Sequence, residues 1–252
     1  MKKLIAPLAL CALIIAACQT KLNTTVYTDD YVLPLSDLRQ DTLTVKISAE
    51  YPLGDDEVTV KLRKTISELL FSYGWDTDES CFDSVAVAYR NSIVDDYLYE
   101  YSHSAEDTTD TSIMSWELDM NGYFLPDWDK YYRYREDFYE YKGGAHGISG
   151  TVCFVFDMKD GSLVEEQEFF KDGYEEPVSA LIRQHLVTDY VPQLQEGFEA
   201  EDFVTSPASV NGVYLPGPKG VKWFYQPYEI APYAFGIIAV EVPWDELKPW
   251  VR

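Results

Sequence analysis

Between residues 113 and 157 the apolar side chains fall on every second position, and this constrains the fold more than any other feature of the chain. Trp116, Leu118 and Met120 alternate with polar residues, then Tyr132 and Tyr134, then Val152, Phe154 and Phe156. Successive side chains of a strand point to opposite faces, so this period marks half-buried strands. Three of them in succession predict an antiparallel meander. Asp160-Gly161 then supplies a tight turn before Leu163.

On either side of the meander the period changes. Leu43, Val45, Ile47, Ala49 and Tyr51 alternate, so 42–51 is a further strand, stopped by Pro52 and Gly54. Val58, Leu62, Ile66 and Leu69 recur at helical spacing and predict an amphipathic helix over 55–72. A second helix is expected from Asp83 to Tyr101, with Val85, Tyr89, Ile93 and Tyr97 along one face. A third is expected over 175–190, with Pro177 in its first turn. Short strands follow near 209–215, 220–226 and 235–242, after a polar connection at 191–207. No repeat recurs at a solenoid period. Helices and strands in blocks predict an α+β protein of antiparallel sheets with two or three packed helices. Two intimately associated subdomains are expected, over 42–165 and 166–252, with 18–41 as a tether.

The N-terminus constrains location more than chemistry. Met1-Lys2-Lys3 precedes an apolar run from Leu4 to Ala17, which ends in Ile15-Ala16-Ala17-Cys18. A charged start, a short greasy segment and small residues before a cysteine describe a lipoprotein signal peptide over residues 1–17. The run is shorter than the roughly 20 residues of a membrane span. Cys18 is therefore expected to become the first mature residue and to carry acyl chains such as palmitate, which hold the protein on a membrane. Gln19 replaces the aspartate that retains many Gram-negative lipoproteins at the inner membrane, which points to the outer membrane.

The formal net charge is −23, from 20 basic and 43 acidic residues. Such a surface repels nucleic acid and anionic headgroups and attracts cationic proteins. Hydrophobic residues make up 46% of the chain, enough for a proper core and too many for a disordered one. Cys81 and Cys153 are the cysteines left after Cys11 and Cys18, and in an oxidising compartment they are candidates for a disulfide. Two cysteines without clustered histidines do not make a metal site, and no cofactor is expected.

Two segments are candidates for contact with a ligand. In the first, Gly143, Gly144 and Gly147 flank His146 between two aromatic strands. In the second, Tyr225-Gln226-Pro227-Tyr228-Glu229-Ile230-Ala231-Pro232-Tyr233 forms a proline-stiffened loop. It offers Tyr225, Tyr228 and Tyr233 around Glu229, a pattern suited to a sugar or a cationic side chain. A structural turn and a rigid aromatic corner are the competing readings.

These two segments, with Phe156-Asp157 and Asp160-Gly161, resemble the paired domain-of-unknown-function families numbered 4163 and 3298. The resemblance runs from about residue 40 to 250. Members are bacterial envelope proteins. The pair forms the extracellular half of an anti-sigma factor that binds lysozyme directly, and the first domain also accompanies a peptidoglycan deacetylase. The resemblance implies recognition in the envelope, with a lysozyme-like cationic protein or peptidoglycan as partner, and no chemistry of the chain's own. No sigma-binding segment, mature membrane span or deacetylase domain is recognisable. A hydrolase using His146 with Glu229, Asp157 or Asp160 is the competing expectation, and an accessory lipoprotein of a larger envelope assembly is another.

Overall fold

The computed structural model describes residues 22–35, 41–71, 81–104, 114–191 and 204–252. The expected signal peptide and Cys18 lie outside them. Strands β1 (Thr24–Pro34), β2 (Thr42–Pro52), β3 (Trp116–Trp128), β4 (Tyr131–Tyr141) and β5 (Ile148–Asp157) form one sheet in that order. Helices α1 (Glu57–Phe71) and α2 (Phe82–Ser104) lie between β2 and β3 in sequence and cover one face. The chain then makes a single turn α3 (Glu166–Phe169) and helix α4 (Glu175–His185), which runs on as a π-turn over Leu186–Tyr190. A second, three-stranded antiparallel sheet follows, of β6 (Tyr214–Pro216), β7 (Gly220–Tyr225) and β8 (Ile238–Pro243), before a closing turn α5 (Trp244–Leu247). The class is α+β.

The alternation along the strands sorts the core into two large clusters and a small third one around Cys153, Leu215 and Phe224. Leu43, Val45, Ile47 and Ala49 of β2 join Leu118 and Met120 of β3 and Tyr134 and Phe156 of the last two strands under the helices. Helix α1 adds Leu62, Ile66 and Leu70, one turn apart and all buried, so the buried stripe passes through Leu70 and leaves Leu69 at 37% exposure. Asp56 caps α1, accepting from the Thr59 amide at 3.0 Å. The second core surrounds Trp223, which is wholly buried, with Phe170, Val178, Ile182 and Val240 around it. Tyr131 and Val155 of the first sheet belong to this second core. The two units therefore share β4 and β5 as a common wall.

Three expectations are corrected. The stretch 18–41 is not only a tether, because Thr24–Pro34 pairs antiparallel with β2 along its whole length. Its inward face carries Asp29 among Tyr27, Tyr31 and Leu33, and this charge breaks the apolar alternation. Arg90 of α2 neutralises Asp29 at 3.5 Å and lies over the Tyr31 ring at 4.8 Å. The first sheet is mixed, because β2 and β3 run parallel across the α1–α2 crossover. Cys81 and Cys153 are both free thiols. Cys81 is exposed at the start of α2, on the helical side of the sheet, whereas Cys153 packs with Leu215 and Phe224 on the other side. The sheet stands between them.

Buried charge ties the second unit together. Glu166 is 5% exposed, and burial raises its carboxyl above the ordinary range. Its Oε1 accepts from the Trp223 indole at 2.5 Å and its Oε2 from the Gly212 amide at 2.8 Å. Glu166→Ala leaves both donors buried without partners. It is expected to lower the unfolding free energy by about 3 kcal/mol, seen as a lower urea midpoint at unchanged slope.

Candidate functional site

Both candidate segments are irregular for local reasons. The β4–β5 connection turns through Gly143 at φ +96° and Gly144 at φ +89°, conformations that side chains other than glycine rarely adopt. Tyr141 Oη donates to the Gly144 carbonyl at 3.1 Å and holds the turn. At Gly147 the Tyr139 ring would lie 2.5 Å from any Cβ, so only glycine allows that close approach. The second segment follows β7 as a turn. The Glu229 amide donates to the Gln226 carbonyl at 3.0 Å, and the Gln226 amide returns to Glu229 Oε2 at 2.8 Å. Asn211 Nδ2 donates to Glu229 Oε1 at 2.8 Å.

The structure brings the two segments together. The Gln226 side chain lies against β5 as a substitute strand. Its Oε1 accepts from the Thr151 amide at 2.9 Å and its Nε2 donates to the Thr151 carbonyl at 2.7 Å. That contact places Tyr233 on the glycine loop, where its hydroxyl donates to the Gly147 carbonyl at 2.8 Å. The His146 ring stacks on Tyr233 with centroids 4.0 Å apart and planes at 22°. His146 Nδ1 faces the Gly147 carbonyl at 2.9 Å, an acceptor, so Nδ1 carries the proton. Nε2 is then the acceptor for the Tyr228 hydroxyl at 3.1 Å. Tyr228 and Tyr233 lie 5.5 Å apart. His146, Tyr228 and Tyr233 thus form one aromatic seam where the two units meet.

Other expected members have different roles. Tyr225 is 1% exposed and donates its hydroxyl to the Ser209 carbonyl, so it is a core residue. Its place was legible in the alternation of Val221, Trp223 and Tyr225 along β7. Glu229 has both oxygens occupied, Oε2 by Gln226 of its own turn and Oε1 by Asn211, and is structural. Among the described residues no carboxylate is a hydrogen-bond partner of His146. Asp157 ends β5, about 30 Å along the strand from the glycine loop, and accepts from the Lys159 amide. Asp160 accepts from the Ser162 hydroxyl and amide, which lower its carboxyl below the ordinary range. A general base oriented by an acid is therefore not assembled from these residues. Among the described residues no group of three or more His, Cys, Asp or Glu could hold a metal ion.

Sequence reasoning missed Thr151 and its support. Asp137 accepts from the Thr151 hydroxyl at 2.5 Å, from Tyr123 Oη at 2.9 Å and from Arg135 at 2.7 Å. Burial pulls the Asp137 carboxyl up, and these three donors outweigh it, leaving it below the ordinary carboxylate range. Arg135 in turn lies over the Phe224 ring at 5.1 Å. No single-residue signal marks this network, because Tyr123 of β3 and Thr151 of β5 each lie 14 residues from Asp137, and only Arg135 is its near neighbour in sequence.

This is an α+β protein of two fused units with an aromatic seam at their junction. Residues 167–245 match the model of the family described as Protein of unknown function (DUF3298), which spans the second unit and the Gln226–Tyr233 loop. The whole fold is similar to that of a DUF3298 family member from Bacteroides fragilis, with a TM-score of 0.81 at 18% identity over 92% of this chain and 94% of that one. It is also similar to a DUF3298 family protein from Pseudomonas aeruginosa, with a TM-score of 0.62 at 15% identity over 92% and 95%. At these identities the likeness is one of fold. No curated protein matches the chain.

Gln226→Ala is expected to leave the Thr151 amide and carbonyl without partners and to cost about 2 kcal/mol. Gln226→Met keeps the volume and should cost nearly as much. Hydrogen exchange at the Thr151 amide reports the loss directly, with protection falling there before it falls in β7.

Proposed function

We propose that this chain is a non-catalytic binding module of the cell envelope, lipid-anchored through Cys18, and that its aromatic seam engages a cationic protein of the lysozyme type. The observation that carries the reading is Tyr228. It is a non-glycine residue at φ +72°, and it is 59% exposed. Strained backbone persists where the surroundings hold it, and it concentrates at functional positions. Here Asn211, Glu229 and Gln226 close the turn below Tyr228, and His146 braces its hydroxyl. The result is a rigid aromatic face presented to solvent, of the kind that anchors interfaces.

Charge supports the choice of partner. At −23 the protein draws cationic partners from a distance and sets their approach rate. His146 has a phenol and a backbone carbonyl for partners, an arrangement that positions a ring and does not activate a nucleophile. The resemblance to lysozyme-binding envelope proteins and the outer-membrane address read from Cys18-Gln19 belong to the same proposal.

The test measures binding of the full chain to a hen-type lysozyme and to purified sacculi, each at low and high salt. Lysozyme binding with an association rate that falls with salt is expected. Tyr228→Gly should remain at least as stable as the parent, because glycine tolerates the positive φ, and should weaken binding about tenfold or more. Binding to sacculi alone would transfer the seam to a peptidoglycan ligand. Binding to neither overturns the proposal.

A further inference from the structure

On the helical side of the first sheet, α1 and α2 leave the ends of β4 and β5 uncovered. A groove of about 790 Å³ opens there, within the range of small-molecule sites. Leu69 of α1, Ile93 of α2, Leu118 of β3, Phe138 of β4 and Phe154 of β5 form its apolar wall. Three carboxylates line it, Asp96, Glu136 and Glu140. Lys142 is the one cation on its lining, and it is held by Glu140 at 2.6 Å and lies over the Trp116 ring at 5.3 Å.

Glu136 is the decisive residue. It sits at the middle of β4, is 6% exposed, and lines the groove. Yet no hydrogen bond from the described residues reaches its carboxylate, in contrast to Glu166, whose two oxygens both have donors. Its oxygens open onto the groove and not into a dry interior, but at this burial the charge is still poorly solvated and calls for a compensating group. The lining offers none, since the Lys142 ammonium is already paired.

We infer that the groove is a binding site for an organic cation on an apolar body, an alkylammonium or guanidinium whose charge meets Glu136 and whose hydrocarbon lies on the Leu69, Phe138 and Phe154 wall. Charge complementarity selects the cation and the lining selects the tail. A free amphiphilic amine and the lysine side chain of a peptide carry the same chemistry. The site lies on the opposite face of the sheet from His146 and Tyr228, and it goes beyond the function proposed above without depending on it.

Protonation adds a signature. Burial, with the charge of Asp137 beside it, pushes the Glu136 carboxyl up to about 7. The titratable and charged groups lining the groove with it are Tyr89 and Asp96 from α2, Glu140 from its own strand, and Lys142. The lining residues of α1, β3 and β5 are apolar, among them Leu70, Met120 and Val152. A cation needs the ionised form, so its affinity is expected to rise about tenfold from pH 6 to pH 8 as Glu136 loses its proton. The sign for stability is the reverse. The unfolded chain releases this proton first, so the empty protein loses stability as pH rises from the ordinary carboxylate range through about 7.

The experiment titrates the full chain with n-octylammonium, n-octanol and a Leu-Lys-Leu peptide amide by calorimetry at pH 6 and pH 8. Octylammonium or the peptide should bind, octanol at least about tenfold more weakly. A free amine is the natural class if octylammonium binds tighter, and a protein lysine if the peptide does. Glu136→Gln should weaken cation binding at pH 8 about tenfold or more and abolish the pH slope. The same variant should be folded and melt about 2–4 °C higher than the parent at pH 8, with no gain at pH 4. Tyr228→Gly should leave cation affinity unchanged, which separates this site from the seam. Equal binding of octanol, an unchanged affinity in Glu136→Gln, or loss of binding in Tyr228→Gly would overturn the assignment.

Discussion

The pairing of one glutamine amide with one strand residue sets the geometry on which the rest of the molecule depends. Strand β5 is the last of its sheet, and its outer edge presents an unpaired amide and carbonyl at Thr151. Gln226 meets both, as a neighbouring strand would. An open edge is a liability for pairing with other chains, and a side chain from the second unit closes it here. Because the contact fixes one residue of β5, it also fixes the height at which the 226–236 loop stands along the strand. Tyr233 then falls opposite Gly147 and Tyr228 opposite His146. A displacement of two residues along β5, about 7 Å, would carry both tyrosines past the glycine loop. The seam therefore exists only in this register.

Buried charge in this protein divides by how it is satisfied. Arg133, 8% exposed, sends its Nη1 to the Pro216 carbonyl at 2.9 Å and its Nε to Pro126 at 3.0 Å, with Nη2 on Pro126 as well. Burial lowers its basicity, but each contact is a charge-assisted bond to a carbonyl that would otherwise need another donor. Glu166 does the same with two donors. Arg133 joins the two units through β6, Glu166 ties α3 to β7 within the second unit, and the polar atoms of both are occupied by protein partners. Glu136 is comparable in burial and has no such contacts. The difference lies in position: Arg133 faces the junction of the units and Glu166 the interior of the second, whereas Glu136 faces the part of the sheet that α1 and α2 do not reach.

Strand alternation made most of the fold legible in the sequence, and its failures have specific physical causes. The meander, the helices α1, α2 and α4 and the strands β7 and β8 follow their apolar periods. Strand β1 does not, because Asp29 occupies an inward position made tolerable by the distant Arg90 and by the hydroxyl of Tyr27. The parallel sense of β2 and β3 was not legible, since a period of two carries no direction, although two helices between them allow the crossover. At the site both segments stood out, and their partnership did not, because it rests on contacts 75 to 86 residues apart. Glu229 attracted a ligand role because a carboxylate among tyrosines suits a cation. In fact its spacing from Gln226 is that of a turn cap, a local geometry that takes precedence over a distant ligand.

The pleat of β4 joins these themes. Its odd residues face the second unit: Arg133 binds Pro216, Arg135 lies over Phe224, Asp137 holds Thr151, and Tyr139 backs Gly147. Its even residues face the helices and the groove, namely Tyr134, Glu136, Phe138 and Glu140. Adjacent side chains of one strand thus serve two surfaces with different chemistry, one stiff and fully hydrogen-bonded, the other apolar and anionic. They communicate through Asp137, whose charge adds to the burial that raises Glu136. That carboxylate is strongly compensated by Arg135, Thr151 and Tyr123, so most of its charge is spent on its own side of the sheet. The compensation lets a rigid junction and a proton-sensitive groove share a single strand.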